Sequence, residues 1–82
     1  MALDKNQEER FKKVVANHFK TEIEEIKDES TIKDDLGGDS LDVVEIVIEL
    51  EKEFDCNIPD DFAFGSSTVG EVKEALEQTL AR

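Results

Sequence analysis

A hydroxyl flanked by two carboxylates stands at Gly37-Gly38-Asp39-Ser40-Leu41-Asp42, and an apolar-acidic pattern of helical period follows at once. Three chemistries suit such a cluster: nucleophilic catalysis by the serine, covalent attachment through its oxygen, or helix capping. Nucleophilic catalysis needs a base. His18 is the only histidine, and its spacing puts it on the inward side of an earlier helix, so no base is expected for Ser40. With Asp39 as N-cap, Asp42 falls three residues on and Ser40 takes the first helical position with its hydroxyl outward. A phosphoester there would meet free backbone N–H groups and the positive end of the helix dipole. Asp39 and Asp42 oppose this by charge, so the position is no anion trap by itself.

Other candidates fail on chemical grounds. Carboxylates are abundant, but a crowded acidic surface is not a tuned acid–base pair. The stretch from Asp55 to Asp60 fails as a calcium loop. Pro59 stands where a ligand is needed, Asp60 where the turn glycine belongs, and Ser66 where a bidentate Glu belongs. Gly37-Gly38 is too little for a phosphate-binding loop. Cys56 has no basic neighbour except Lys52, which suits a structural residue. His18 has no second His or Cys placed to complete a metal site, so no metal is expected.

Four helical segments position these residues. Asp4 and Gln7 make a capping-box start, and Phe11, Val14, Val15, His18 and Phe19 recur at helical spacing, predicting a helix over about 5–20. Residues 21–39 form a long connection, pinned by Ile23, Ile26, Ile32 and Leu36, with one turn capped by Ser30 or Thr31 and Gly37 as a left-handed exit. The second helix runs from Ser40 to about Phe54. At about 100° per residue, Val43, Ile46, Val47, Leu50 and Phe54 share one arc, while Leu41, Val44 and Ile48 form a second on roughly the opposite side. Glu45, Glu51, Lys52 and Asp55 flank that second arc; Asp42, Glu49 and Glu53 fill the remaining flank. Either the helix is central and buried on both sides, or the second arc is a docking surface with an apolar centre and acidic rim. Ile58-Pro59 ends the region, a short third helix is expected from Asp60 or Asp61 to Phe64, and Thr68 with Glu71 opens a last helix to about residue 80. The predicted fold is all-α: one domain over 1–82, a small bundle of three main helices plus one short helix, with a long first loop.

At 82 residues there is room for a single thin core, and one cysteine allows no internal disulfide. No apolar run reaches the length of a signal peptide or membrane span. The net charge of −12 lies wholly in residues 28–82, and residues 39–61 alone hold nine acids against one base. That field repels nucleic acid and attracts basic protein surfaces.

Asp39-Ser40-Leu41, preceded by Leu36-Gly37 and followed by Asp42 and Val44-Glu45-Ile46-Val47, resembles the carrier signature of acyl carrier proteins. The likeness continues through Leu50-Glu51, Glu53-Phe54-Asp55, Ile58-Pro59-Asp60 and Thr68-Val69. The resemblance implies a non-catalytic carrier with 4′-phosphopantetheine, derived from coenzyme A, esterified to Ser40. It implies a phosphopantetheinyl transferase and fatty acid synthesis enzymes with basic docking patches as partners. Asp39, Leu41, Asp42, Val44, Glu45, Ile48 and Glu51 would then be the docking residues, and Val43, Ile46, Val47, Phe54 and Ile58 the lining of an acyl pocket. Gly37-Gly38, Lys52 and the apolar Phe62 and Phe64 depart from the commonest fatty-acid pattern. A carrier of polyketide, aminoacyl or peptidyl intermediates is the alternative, and an unmodified acidic helical adaptor is a different class. The end at Arg82 without a linker favours a discrete protein over an excised module; a monomer is expected, in the cytoplasm or the interior of an organelle.

Overall fold

Three reciprocal capping boxes open three helices in the computed structural model, which describes residues 3–59 and 68–81. Helix α1 spans Lys5–Phe19, α2 spans Ser40–Phe54 and α3 spans Val69–Leu80. The Asp4 carboxylate accepts from the Gln7 N–H at 2.8 Å and the Gln7 side chain accepts from the Asp4 N–H at 3.1 Å. Thr68 and Glu71 repeat the arrangement at α3, at 3.2 and 3.0 Å. Each box satisfies two N–H groups that the helix itself leaves unpaired, and such a cap contributes about 1 kcal/mol.

Two helices end on left-handed caps that are not glycine. Lys20 and Asp55 take left-handed backbones with φ of 56° and 50°. The next N–H groups, of Thr21 and Cys56, reach back to the carbonyls of Ala16 and Glu51 at 2.9 and 3.1 Å. Those bonds satisfy carbonyls the helix ends would expose and offset the strain of a side chain at positive φ.

Burial follows the helical periods. Phe11, Val15 and Ala16 of α1, Val43, Ile46, Val47 and Leu50 of α2, and Val69, Val72, Ala75 and Leu76 of α3 form one core. Ile26, Ile32 and Ile58 complete it from the connections, and Phe19, Leu36, Phe54 and Leu80 pack against its edge. Helix α2 is the central element, in contact with both α1 and α3. Among the described residues there is no strand, only an isolated bridge between Thr31 and Thr68.

The connection from 20 to 39 is held as expected by Ile26 and Ile32 in the core and by half-buried Ile23 and Leu36. It also holds a 3₁₀ turn over Ile23–Glu25 that the spacing did not reveal. Thr31 is the cap of its last turn: its hydroxyl accepts from the Asp35 N–H at 3.0 Å and its own N–H donates to the Asp35 carboxylate at 2.8 Å. Gly37 makes the left-handed exit at φ 73°. Backbone bonds from Val69 to Ser30 and from Gly70 to Asp28, at 2.9 and 2.8 Å, tie this connection to the start of α3. Lys73 adds a side-chain tie, donating to Glu8 at 3.0 Å and to Asp28 at 2.8 Å. The short helix expected from Asp60 or Asp61 to Phe64 lies outside the described residues.

Candidate functional site

The site is built on the first turn of α2. Asp39 Oδ1 accepts from the N–H groups of Leu41 and Asp42, at 3.0 and 3.2 Å, and Asp42 Oδ2 accepts from the Asp39 N–H at 2.9 Å. Ser40 is enclosed by this ring as the first helical residue, exposed, and its hydroxyl makes no hydrogen bond among the described residues. The ring changes one expectation. The N–H groups that were to meet a phosphoester are already taken by Asp39 at Leu41 and Asp42, so the turn presents a hydroxyl rather than an anion cradle. An ester link needs only an accessible oxygen, and the site fits a group held covalently and otherwise free to swing.

The peptide leading into Ser40 is held from behind. Gly38 is buried and its N–H donates to the Ile32 carbonyl at 2.7 Å. A Cβ on Gly38 would stand 2.8 and 2.9 Å from two ring carbons of Phe19 and 2.9 Å from Asp42 Oδ2. Glycine is therefore required here by close approach, whereas at Gly37 it is required by positive φ.

The two apolar arcs of α2 separate as the wheel indicated. Val43, Ile46, Val47 and Ile58 are buried and Phe54 is half-buried, so all five expected pocket-lining residues lie in or against the core. On the other side Leu41 is 63% exposed and Ile48 is 46% exposed. Val44, between them, is half-buried. Of the two outcomes left open by the sequence, α2 keeps a solvent-facing apolar arc. Asp39 and Glu45 are exposed beside it. Glu51 is half-buried and accepts from the Ile58 N–H at 2.8 Å, so one of its oxygens closes the α2 exit. Sequence reasoning placed it only on the rim.

His18 is the residue whose surroundings the sequence did not disclose. Its Nε2 stands 2.7 Å from Asp42 Oδ1 and 3.6 Å from Glu45, and its Nδ1 stands 3.6 Å from Glu49. Burial opposes the charged imidazolium, but hydrogen bonds and charge from Asp42 and Glu49 outweigh it and raise the pKa above the ordinary histidine value. The hydrogen bond to His18, with that from the Asp39 backbone, lowers the Asp42 carboxyl in turn. Lone occurrence on the inward side of α1 was the only available signal. The Cys56 thiol is pushed up by burial and by the charges of Glu51 and Asp55, which keeps it unreactive.

The first turn of α2 thus offers an exposed serine hydroxyl beside an apolar arc with exposed acids at its rim. A family model described as "Phosphopantetheine attachment site" matches residues 9–76. An acyl carrier protein of Bradyrhizobium sp. (strain ORS 278) is 49% identical over 70 residues, covering 85% of this chain and 89% of that protein. Acyl carrier proteins of Rhodopseudomonas palustris (strain TIE-1) and Nitrobacter hamburgensis match to the same extent. The chain belongs to the acyl carrier protein family, the phosphopantetheine-bearing carriers. These are non-catalytic proteins with covalently attached 4′-phosphopantetheine, served by a phosphopantetheinyl transferase and by synthase partners. No helix among the described residues is long and apolar enough to cross a membrane.

Proposed function

We propose that Ser40 carries the 4′-phosphopantetheine arm and that α2 presents it to enzymes of fatty acid synthesis. The observation that carries this reading is the Ser40 hydroxyl, exposed and without a hydrogen-bond partner among the described residues at the head of the helix that bears Leu41 and Ile48. The arm supplies a terminal thiol for acyl thioesters. This chain supplies the oxygen that takes the phosphoester, and no base: the only imidazole is bound to Asp42. The transferase therefore removes the Ser40 proton as the oxygen joins phosphorus and the nucleotide part of coenzyme A leaves. Asp39, Leu41, Asp42, Val44, Glu45, Ile48 and Glu51 form the docking face, and its acids favour partners with basic patches. Val43, Ile46, Val47, Phe54 and Ile58 are the side chains a sequestered acyl chain would part. We take the protein as a discrete, single-domain, monomeric carrier of the cytoplasm or an organelle interior.

Intact mass after incubation with coenzyme A and a phosphopantetheinyl transferase tests the attachment. The wild-type chain gains one phosphopantetheine and Ser40→Ala gains none; equal gain by both sinks the assignment. Acyl groups recovered from the protein in its own cell distinguish the fatty acid pathway from polyketide, aminoacyl or peptidyl cargo.

A further inference from the structure

We propose that His18 is a positioning residue for modification at Ser40, acting through Asp42; this rests on Ser40 being the attachment point. His18 lies in the last turn of α1, with its side chain only 10% exposed. Its Nε2 meets Asp42 Oδ1 at 2.7 Å, and the other oxygen of the same carboxylate accepts from the Asp39 N–H at 2.9 Å. Asp39 in turn holds the N–H groups of Leu41 and Asp42. One unbroken run of hydrogen bonds thus leads from α1 to the backbone on both sides of Ser40.

The acidic groups that face the imidazole all come from α2: Asp42, Glu45 and Glu49. Among the described residues, no carboxylate of α1, of the 20–39 connection or of α3 pairs with it, and no Lys or Arg pairs with those three acids. Neighbouring Phe19 stands edge-on to the His18 ring, centroids 4.9 Å apart, and presses on Gly38. The last turn of α1 therefore grips the attachment turn twice, by charge at Asp42 and by contact at Gly38.

In-line transfer to a hydroxyl is sensitive to placement, and a shift of about 1 Å can cost about a hundredfold in rate. Without His18 the Asp42 carboxylate loses one of its two anchors and can rotate into solvent, loosening the cap around Ser40. A strut that merely joined α1 to α2 would affect modification only by unfolding the protein. A positioning residue acts through one named carboxylate, and the difference is measurable.

The test is a double-mutant cycle in kcat/KM for phosphopantetheinylation, with wild type, His18→Ala, Asp42→Ala and the double variant, each checked for helicity. His18→Ala is expected to lose about tenfold in the wild-type background and less than about twofold when Asp42 is already Ala. Equal losses in both backgrounds, or none in wild type, overturn the proposal. A second readout needs neither modification nor a variant. His18 is the only histidine, so an Asp39 amide resonance that titrates together with the His18 ring reports the linkage. In His18→Gln, whose side-chain amide can still donate to Asp42, that titration vanishes while kcat/KM stays within about twofold. An Asp39 amide that ignores the His18 midpoint overturns the proposal even if His18→Ala fails to fold. Absence of any mass gain by the wild-type chain would instead sink the Ser40 assignment, leaving the amide titration to judge His18.

Discussion

Gly38→Ala is the sharpest stability test of how the turn leading into Ser40 is held. The added Cβ would lie 2.8 Å from Phe19 Cε1, 2.9 Å from Phe19 Cζ and 2.9 Å from Asp42 Oδ2. Carbon atoms rest about 3.5–4.0 Å apart, so the ring must retreat by roughly 0.7 Å or more. Its retreat is limited because His18 stands edge-on beside it and is itself bound to Asp42. Asp42 Oδ2 cannot yield freely either, since it accepts from the Asp39 N–H. Overpacking of this kind costs about 1–3 kcal/mol. Gly38 is not at positive φ, so alanine recovers about 0.4–1 kcal/mol by restricting the unfolded chain. The net expectation is a loss of about 1–2 kcal/mol, which for a domain this small lowers Tm by about 5–15 °C. Urea and thermal melts followed by far-UV circular dichroism measure it. Phe19→Leu removes the ring edge, so the Gly38→Ala penalty measured on that background should shrink by about 1 kcal/mol. A Gly38→Ala protein as stable as wild type, or more so, would mean that Phe19 yields at no cost. An unchanged penalty in Phe19→Leu would place the clash elsewhere.

Two further expectations concern charge. His18 has a folded pKa above its ordinary value, so its contribution to stability is complete below about pH 6.5 and is lost as pH rises through the folded value. The Asp42 carboxyl is depressed, so its contribution holds above its ordinary range and is lost as pH falls through its folded value. Urea midpoints measured across pH should therefore fall on the alkaline side in wild type, and that limb should flatten in His18→Gln; a limb unchanged by the substitution would assign it to another group. With a net charge of −12, self-repulsion should be relieved by added salt or magnesium, and Tm should rise near neutral pH. A flat response would mean that the acids lie too far apart to repel one another.

Most of the fold was legible because the signals were local. Three capping boxes, each an acid or hydroxyl with its partner three residues on, set the helix starts at Lys5, Ser40 and Val69. The wheel of α2 separated buried Val43, Ile46, Val47 and Leu50 from exposed Leu41 and Ile48 because the 3.6-residue period holds over all fifteen residues of the helix. What stayed hidden was contact between elements. Nothing near His18 in sequence announces Asp42 or Glu49, and nothing near Gly38 announces the Phe19 ring, because both meetings depend on how α1 crosses α2. The 3₁₀ turn over Ile23–Glu25 escaped for a related reason: three residues are too few for a period, and Ile26 must be buried before that turn is favoured.

The pairing of charges explains how a strongly acidic helix packs against α1. On α2, Asp42, Glu49 and Glu53 share the flank that faces α1, and there α1 places Arg10 and, when protonated, His18. His18 reaches Asp42 and Glu49, and Arg10 reaches the Glu53 carboxylate at 2.8 Å while also donating to its backbone carbonyl. The Arg10 guanidinium lies 4.5 Å from the centre of the Phe54 ring, so it also covers the helix end where the dipole favours positive charge. At the first turn Asp39 and Asp42 also sit at the positive end of the dipole and cap it, so His18 adds to a balance the helix already supplies in part. Neutralisation is thus spent on the inner flank and the exit, while the arc bearing Leu41 and Ile48 keeps Asp39 and Glu45 exposed at its rim. Lys52 already stands exposed beside that arc, and under the proposed docking of basic partners a further cation there would weaken the field they meet. Arg10 and His18 on the α1 side reduce the repulsion chiefly at Asp42, Glu49 and Glu53, with His18 also 3.6 Å from Glu45, while Asp39 has no cation paired with it among the described residues.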